Sequence, residues 1–314
     1  MTSADANESE AVRAPRVVAL GGGHGLATAL RAVRRYAGDI TAIVSVADDG
    51  GSSGRLRRDL GVPAPGDLRR CLVALAGDDH LWSEAFEYRF AGGELEGHAL
   101  GNLVLVGLAE TLGSFEAALD EAGRLLGAVG RVVPATSESV ELKAEIGGSA
   151  PQDGGSPSTE VEGQVAVANS HDIRRVGLVP ADAAAPPAAV AAIAAADQIV
   201  LAPGSLYTSI LPVVCVPALR EALAGASAPV VQVANLRPQL PETAGLDGTG
   251  HLAAVLDHGV RVDTFLYERA GVLTVDEDRV RAWGVEPVAG RMAAPNGHSH
   301  DPERLAGMLA ALRR

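Results

Sequence analysis

The chain has 314 residues, of which 47% are apolar, enough for one large α/β domain or two modest ones with a well-buried core. Its formal net charge of −13 argues against broad, non-specific binding to nucleic acid or to an anionic membrane. No apolar run approaches the roughly 18 residues that suggest a membrane span, so neither a membrane-spanning nor a nucleic-acid partner is expected.

Residues 1–14 are polar and acidic with no apolar signal core, and read as a disordered tail on a cytoplasmic protein. Arg16–Leu20 is a short β run, Leu26 to Tyr36 has helical spacing, and Ile40–Val46 is a second β run. Such a β–loop–helix–β unit opens a doubly wound sheet, where ligands collect at the carboxyl ends of the strands. Asp67 reads as the N-cap of a helix through Ala76. Helical patterns follow over Leu81–Arg89, His98–Leu112 and Phe115–Leu126. After Gly130 the texture becomes β-rich, with strands expected at Arg131–Pro134, Val140–Glu145, Val161–Ala168 and Ile173–Leu178. The Gly/Pro/Ser-rich stretch at 147–158 reads as a mobile hairpin tip. Helix returns at Pro187–Ala195 and near Val216–Ala224, between strands at Gln198–Leu201, Val230–Ala234 and Asp263–Tyr267. Asp301 is placed to cap a last helix over Pro302–Leu312. The expected architecture is a single α/β domain over 15–314: a mostly parallel, doubly wound sheet with helices on both faces and a small β-rich excursion.

Polar segments follow several of these strands. Gly21, Gly22, Gly23, His24 and Gly25 end the first, and could bring backbone N–H groups and a helix N-terminus to a phosphate. They also suit a plain strand-to-helix turn. Leu26 stands where a dinucleotide fingerprint has its third glycine, which disfavours a nicotinamide-dependent oxidoreductase. The second strand runs into Asp48, Asp49, Gly50, Gly51, Ser52, Ser53, Gly54 and Arg55. There the amides and hydroxyls could meet phosphate oxygens, and the carboxylates a ribose or a hydrated metal. Among the nearby arginines, Arg69 is favoured as a phosphate clamp by its place after the Gly66-Asp67 turn. His98 and Asn102, spaced i, i+4, share one face of their expected helix and serve either a ligand or helix packing. Gly204, Ser205, Tyr207 and Thr208 follow a third apolar strand, and Asn235, Gln239, Glu242 and Thr243 a fourth. Ser205 lacks the G-x-S-x-G setting of a hydrolase nucleophile. Cys71 and Cys215 lie in apolar surroundings and read as buried thiols. Four donor-rich segments after four strands converge on a cleft for a phosphorylated ligand.

Taken together, GGGHGL (21–26), VADDGGSSGRLR (46–57), PGDLRRCLVAL (65–75), GHALGNLVL (97–105), PGSLYTSILP (203–212) and NLRPQLPET (235–243) resemble the gluconeogenesis-factor family. These are the YvcK-type proteins of bacteria, relatives of the phospholactate transferase CofD. The resemblance runs from Arg16 to about Tyr267. His24, Ala202, Val213 and Pro241 depart from the residues usual in the family. It implies a Rossmann-like cytoplasmic protein that binds a nucleotide sugar of the UDP-N-acetylglucosamine type and regulates carbon use, cell-wall precursor supply and cell shape. No cofactor is implied for that role, and no nucleophile–base pair is evident. The CofD branch implies the alternative, a phospholactate-type transferase acting on a nucleoside diphospho-donor with magnesium on Asp48 or Asp49. Oligomeric state stays open, a homo-oligomer included.

Overall fold

The computed structural model describes residues 13–76, 81–147 and 158–313. Most of the expected tail and of the expected hairpin tip therefore lies outside the described residues.

In chain order, β1 (Arg16–Gly21), α1 (Gly23–Val33) and β2 (Asp39–Val44) form the opening unit. Four helices follow: α2 (Gly51–Leu60), α3 (Pro65–Ala76), α4 (Leu81–Glu87) and α5 (Leu100–Leu112). Next come α6 (Phe115–Leu126), β3 (Arg131–Pro134), β4 (Glu141–Ile146), β5 (Thr159–Glu162), the short α7 (Gln164–Ala168) and β6 (Ile173–Val179). Then α8 (Pro187–Ala195) leads to β7 (Gln198–Leu201), a π-turn over Leu206–Ile210, α9 (Leu211–Val214) and α10 (Pro217–Gly225). The chain closes with β8 (Val230–Val233), α11 (Gly248–Asp257), β9 (Thr264–Glu268), α12 (Glu277–Ala282), β10 (Glu286–Gly290) and α13 (Pro302–Ala311).

Seven strands form one sheet in the order β10-β9-β8-β7-β1-β2-β3, and β5-β4-β6 form a second, three-stranded sheet. Every pairing in the large sheet is parallel, while the small sheet is antiparallel. β1 lies inside the sheet, its Val17–Leu20 flanked by Ile40–Ile43 of β2 and Gln198–Leu201 of β7. Central strands covered on both faces need continuous apolar runs rather than alternation. IVL of β7 and VV of β8 meet that demand, and every residue of both strands is buried. Leu26 and Leu30 of α1 are fully buried against the sheet, each contributing about 2 kcal/mol by area removed from water.

Local signals set several boundaries. Ser114 caps α6 by accepting from the Ala117 N–H, and Gly127 ends it in the left-handed conformation at φ 62°. Asp301 caps α13 as expected, accepting from the Glu303 and Arg304 N–H groups. Three expectations fail. The segment 161–168 is not one strand: β5 stops at Glu162, and Gly163 (φ 93°) turns the chain into α7. The run after β2 is not a loop, because a helix begins at Gly51 and carries Ser52, Ser53 and Arg55 on its faces. His98 precedes α5, which starts only at Leu100. No single helix among the described residues is long and apolar enough to cross a membrane.

Candidate functional site

The strand order reverses at β1: β2 and β3 lie to one side, β7 to β10 to the other. In an open parallel sheet this switch point leaves a crevice outside the carboxyl ends of the strands. Two adjacent regions meet there.

On the first side are the segments after β1, β7 and β8. Only Gly22 separates β1 from α1, with no side-chain cap. The Gly23 N–H donates instead to Asp67 Oδ2 at 2.6 Å, and Asp67 Oδ1 accepts from Arg70 Nη1 at 2.5 Å. Asp67 is thus no N-cap, since α3 already begins at Pro65. Its carboxylate crosses to the positive end of α1, taking the position expected for a phosphate. A Cβ on Gly25 would lie 1.8 Å from the Pro203 carbonyl oxygen, so only glycine lets these two loops touch.

Asn235 fastens the next loop in both directions. Its Oδ1 accepts from the Gly204 N–H and its Nδ2 donates to the Gly204 carbonyl, each at 2.8 Å; Nδ2 also reaches Gln239 Oε1 at 3.3 Å. The Gln239 N–H donates to Thr243 Oγ1 at 2.8 Å. Glu242 is buried and accepts from the Tyr207 N–H at 2.7 Å and the Thr208 hydroxyl at 3.3 Å. Burial pushes its carboxyl above the usual range, against these hydrogen bonds and one from the Ser205 hydroxyl. Burial also raises the Tyr207 phenol to about 12. Glu242, Thr243, Tyr207 and Thr208 therefore hold the loops in place.

Between these loops lies a cavity of about 320 Å³. Its walls are His24, Gly25 and Thr28, Pro203 and Gly204, the run Asn235 to Gln239, and His298 to His300. Burial, then Arg70, lowers the His24 pKa. Burial takes His300 down to about 4, and its Nε2 is buried with no hydrogen-bond partner among the described residues. Arg237 donates through Nε to the Gly297 carbonyl at 3.0 Å. The lining presents one guanidinium, amides, two hydroxyls and three imidazoles, of which that of His300 is held neutral at pH 7 by burial. That donor–acceptor mix suits the edges of a base or sugar and an accompanying anion.

On the second side, after β2, the functional groups are spent on one another. Asp49 accepts from the Gln164 and Val165 N–H groups, each at 2.9 Å, and so caps α7. Both oxygens of this carboxylate, expected at a ribose or a metal, are thus used on backbone amides. Ser53 Oγ accepts from the Gly66 N–H at 3.1 Å. Ser52 Oγ lies 3.0 Å from His98 Nδ1 and accepts from Asn102 Nδ2 at 3.1 Å. His98 and Asn102 thus converge as expected, but on Ser52, and burial lowers the His98 pKa. Asn102 Oδ1 is buried with no partner among the described residues. Arg55 donates to the Glu96 carbonyl at 2.7 Å. Arg69, expected to clamp a phosphate, has a buried side chain that pairs with Glu87 at 2.7 Å and the Phe86 carbonyl at 3.0 Å. Neighbouring Arg70 faces the Asp67 carboxylate instead.

Asp48 differs from its neighbours. Its Oδ1 accepts from the Gly50 N–H at 3.0 Å, and burial, with the nearby Asp67 charge, raises its pKa. Magnesium is commonly held by one or two carboxylates plus substrate phosphates. Asp48 fits that role by itself, since the nearby Asp67 carboxylate is already engaged by the Gly23 N–H and Arg70, and no group of three or more metal-ligating side chains occurs among the described residues.

The expected residues after β1, β7 and β8 therefore come together, and Asp67 and Gly66 link them to Asp48 and Ser53. Thr28, Leu236, Arg237, Pro238, His298, Ser299 and His300 line the cavity without having been expected there. Arg237 and Pro238 sit inside a motif already singled out. The tripeptide 298–300 has no sequence signal, since only the return of the chain before α13 brings it to the cavity.

The family profile described as 2-phospho-L-lactate transferase CofD matches residues 17–294, further than the expected limit at Tyr267. A relative from Mycobacterium tuberculosis is 43% identical over 307 residues, 93% of this chain and 89% of its own. The protein named gluconeogenesis factor in Bacillus subtilis is 37% identical, over 95% of this chain and 98% of its own. A crystal structure of a member of the UPF0052 family from Bacillus halodurans superposes with a TM-score of 0.86 at 36% identity, covering 94% of this chain and 98% of that one.

Proposed function

The chain belongs to the CofD family alongside the gluconeogenesis factors, and from that membership we propose that it is a regulatory protein that binds a nucleotide sugar of the UDP-N-acetylglucosamine type. The single observation that carries this reading is the cavity of about 320 Å³ at the switch point, lined from three successive strand ends. Its role would be to report nucleotide-sugar supply to carbon metabolism, wall-precursor synthesis and cell shape. Asn235 and Gln239 would meet polar edges of the ligand, and Arg237 would balance the diphosphate. The lining carries no nucleophile paired with a base, which favours sensing over turnover.

Calorimetric titration with UDP-N-acetylglucosamine tests it. Saturable binding is expected, weakened roughly tenfold or more by Asn235→Ala through loss of the Gly204 clasp. If the folded protein binds no UDP-sugar at all, the reading is wrong.

A second reading, a magnesium-dependent transferase acting on a nucleoside diphospho-donor, is favoured by one observation. The desolvated Asp48 carboxylate lies in the field of Asp67, and a divalent cation would relieve both. Magnesium would supply charge neutralisation as a diphosphate leaves. Donor turnover that depends on magnesium and disappears in Asp48→Asn would establish this reading; turnover unaffected by that change would remove it.

A further inference from the structure

A larger cavity, about 490 Å³, opens at the opposite end of α1. Arg31, Arg34 and Arg35 converge on it, with Ile40, Val129 and Pro302 forming an apolar wall. None of its lining residues is acidic. Arg31 in the last turn of α1 and Arg34 and Arg35 just beyond its end are spaced i, i+3, i+4, which crowds three like charges together. Yet none of them forms an ion pair with a described residue, in a chain whose net charge is −13. Arg34 Nη1 donates to the Ala74 carbonyl at 3.0 Å while its Nε is buried without a partner. Arg31 and Arg35 make no side-chain hydrogen bond within the described residues. The Asp301 carboxylate, which lies in the field of Arg35, is committed to the Glu303 and Arg304 N–H groups.

A cationic residue in the last turn of a helix ordinarily balances the negative end of the helix dipole. One arginine would do that. Three, around a cavity of ligand size, leave the guanidinium donors of Arg31 and Arg35 without an acceptor among the described residues. Guanidinium forks match phosphate and carboxylate oxygens pairwise, and the volume lies within the range of small-molecule sites. We propose that this pocket is a second ligand site, for a small polyanion bearing phosphate or carboxylate groups, whose charges seat on Arg31 and Arg35 and whose apolar part packs on Ile40 and Val129. It is separate from the switch-point cleft, with which it shares no lining residue, and its presence does not rest on the nucleotide-sugar reading.

Calorimetry on the full chain with inorganic pyrophosphate and with citrate, in buffer matched for ionic strength with sodium chloride, tests the proposal and tells the two anion sources apart. Saturable binding of either probe is expected. R31Q/R35Q should weaken it roughly tenfold or more, while Asn235→Ala in the other cleft should leave it unchanged. Arg34 is kept because it holds α3. Should the double variant fold poorly, R35Q alone, at an exposed position, should still weaken binding several-fold. No binding of either probe would overturn the proposal, as would binding indifferent to both arginine variants. Binding that is abolished by Asn235→Ala would assign the anion to the other cleft and also overturn it.

Discussion

The two flanks of β1 carry similar chemistry and use it in opposite ways. After β2 come two carboxylates, two hydroxyls and an arginine within eight residues, the densest functional run in the chain. Apart from Asp48, that run is consumed: Asp49 caps α7, Ser53 receives Gly66, Ser52 joins His98 and Asn102, and Arg55 holds a carbonyl. After β7 and β8 the polar residues are sparser, yet they surround open volume. The difference teaches that density of functional groups does not locate a site. Hydrogen-bonding groups brought together in a protein satisfy one another unless the backbone keeps them apart, and here Gly25 against Pro203 and the Asn235 clasp set that spacing.

The largest expected effect that could break this contrast is acid sensitivity on the cavity side. His300, and His251 in α11, are held by burial at about 4, below the unfolded value of 6.5. Between those values the unfolded chain binds the extra protons, so stability is full above about pH 6.5 and falls as pH drops toward 4. Each contributes on the order of 3 kcal/mol across that window. Urea unfolding at pH 7 and 4.5 should show the loss, and His300→Gln should reduce its slope; an unchanged slope would mean that the imidazole is hydrated. Next comes Gly25→Val, whose Cβ would meet the Pro203 oxygen. Overpacking should cost about 3 kcal/mol and abolish binding of UDP-N-acetylglucosamine, and a variant with native melting temperature and native affinity would break the contrast. Glu242→Ala, leaving the Tyr207 N–H and Thr208 hydroxyl unpaired, should cost about 2 kcal/mol by thermal melting. The smallest effect sharpens the contrast most: Ser52→Ala should lower stability by about 1 kcal/mol and leave nucleotide-sugar affinity within about twofold. A large loss of affinity there would move the binding site to the β2 side.

Much of the scaffold was legible locally. Phe115–Leu126, Arg131–Pro134, Pro187–Ala195 and Gln198–Leu201 fall at the expected bounds, because Ser114, Gly127, Pro187 and short apolar runs act within a few residues. The elements missed have misleading local chemistry. α11 opens Gly-Thr-Gly, β10 contains Pro287, and α2 opens with a glycine and two serines. Each is stabilised by contacts distant in sequence or by its neighbours in the sheet, which no window of residues records.

Residue order alone dictates most of the strands, the polar groups that follow β1, β2, β7 and β8, and, through six linked motifs, the family. These depend on backbone preference, burial periodicity and residue identity, all carried by neighbouring positions. Only the tertiary structure decided which polar groups remain free. Asp67 lies 44 residues from Gly23, and Asp49 lies 115 from Gln164, so whether a carboxylate faces a ligand or a backbone amide is settled by how distant segments pack. His298 to His300 reach the cavity, and three arginines gather at the far end of α1, for the same reason: the sheet brings together residues whose spacing along the chain carries no sign of it.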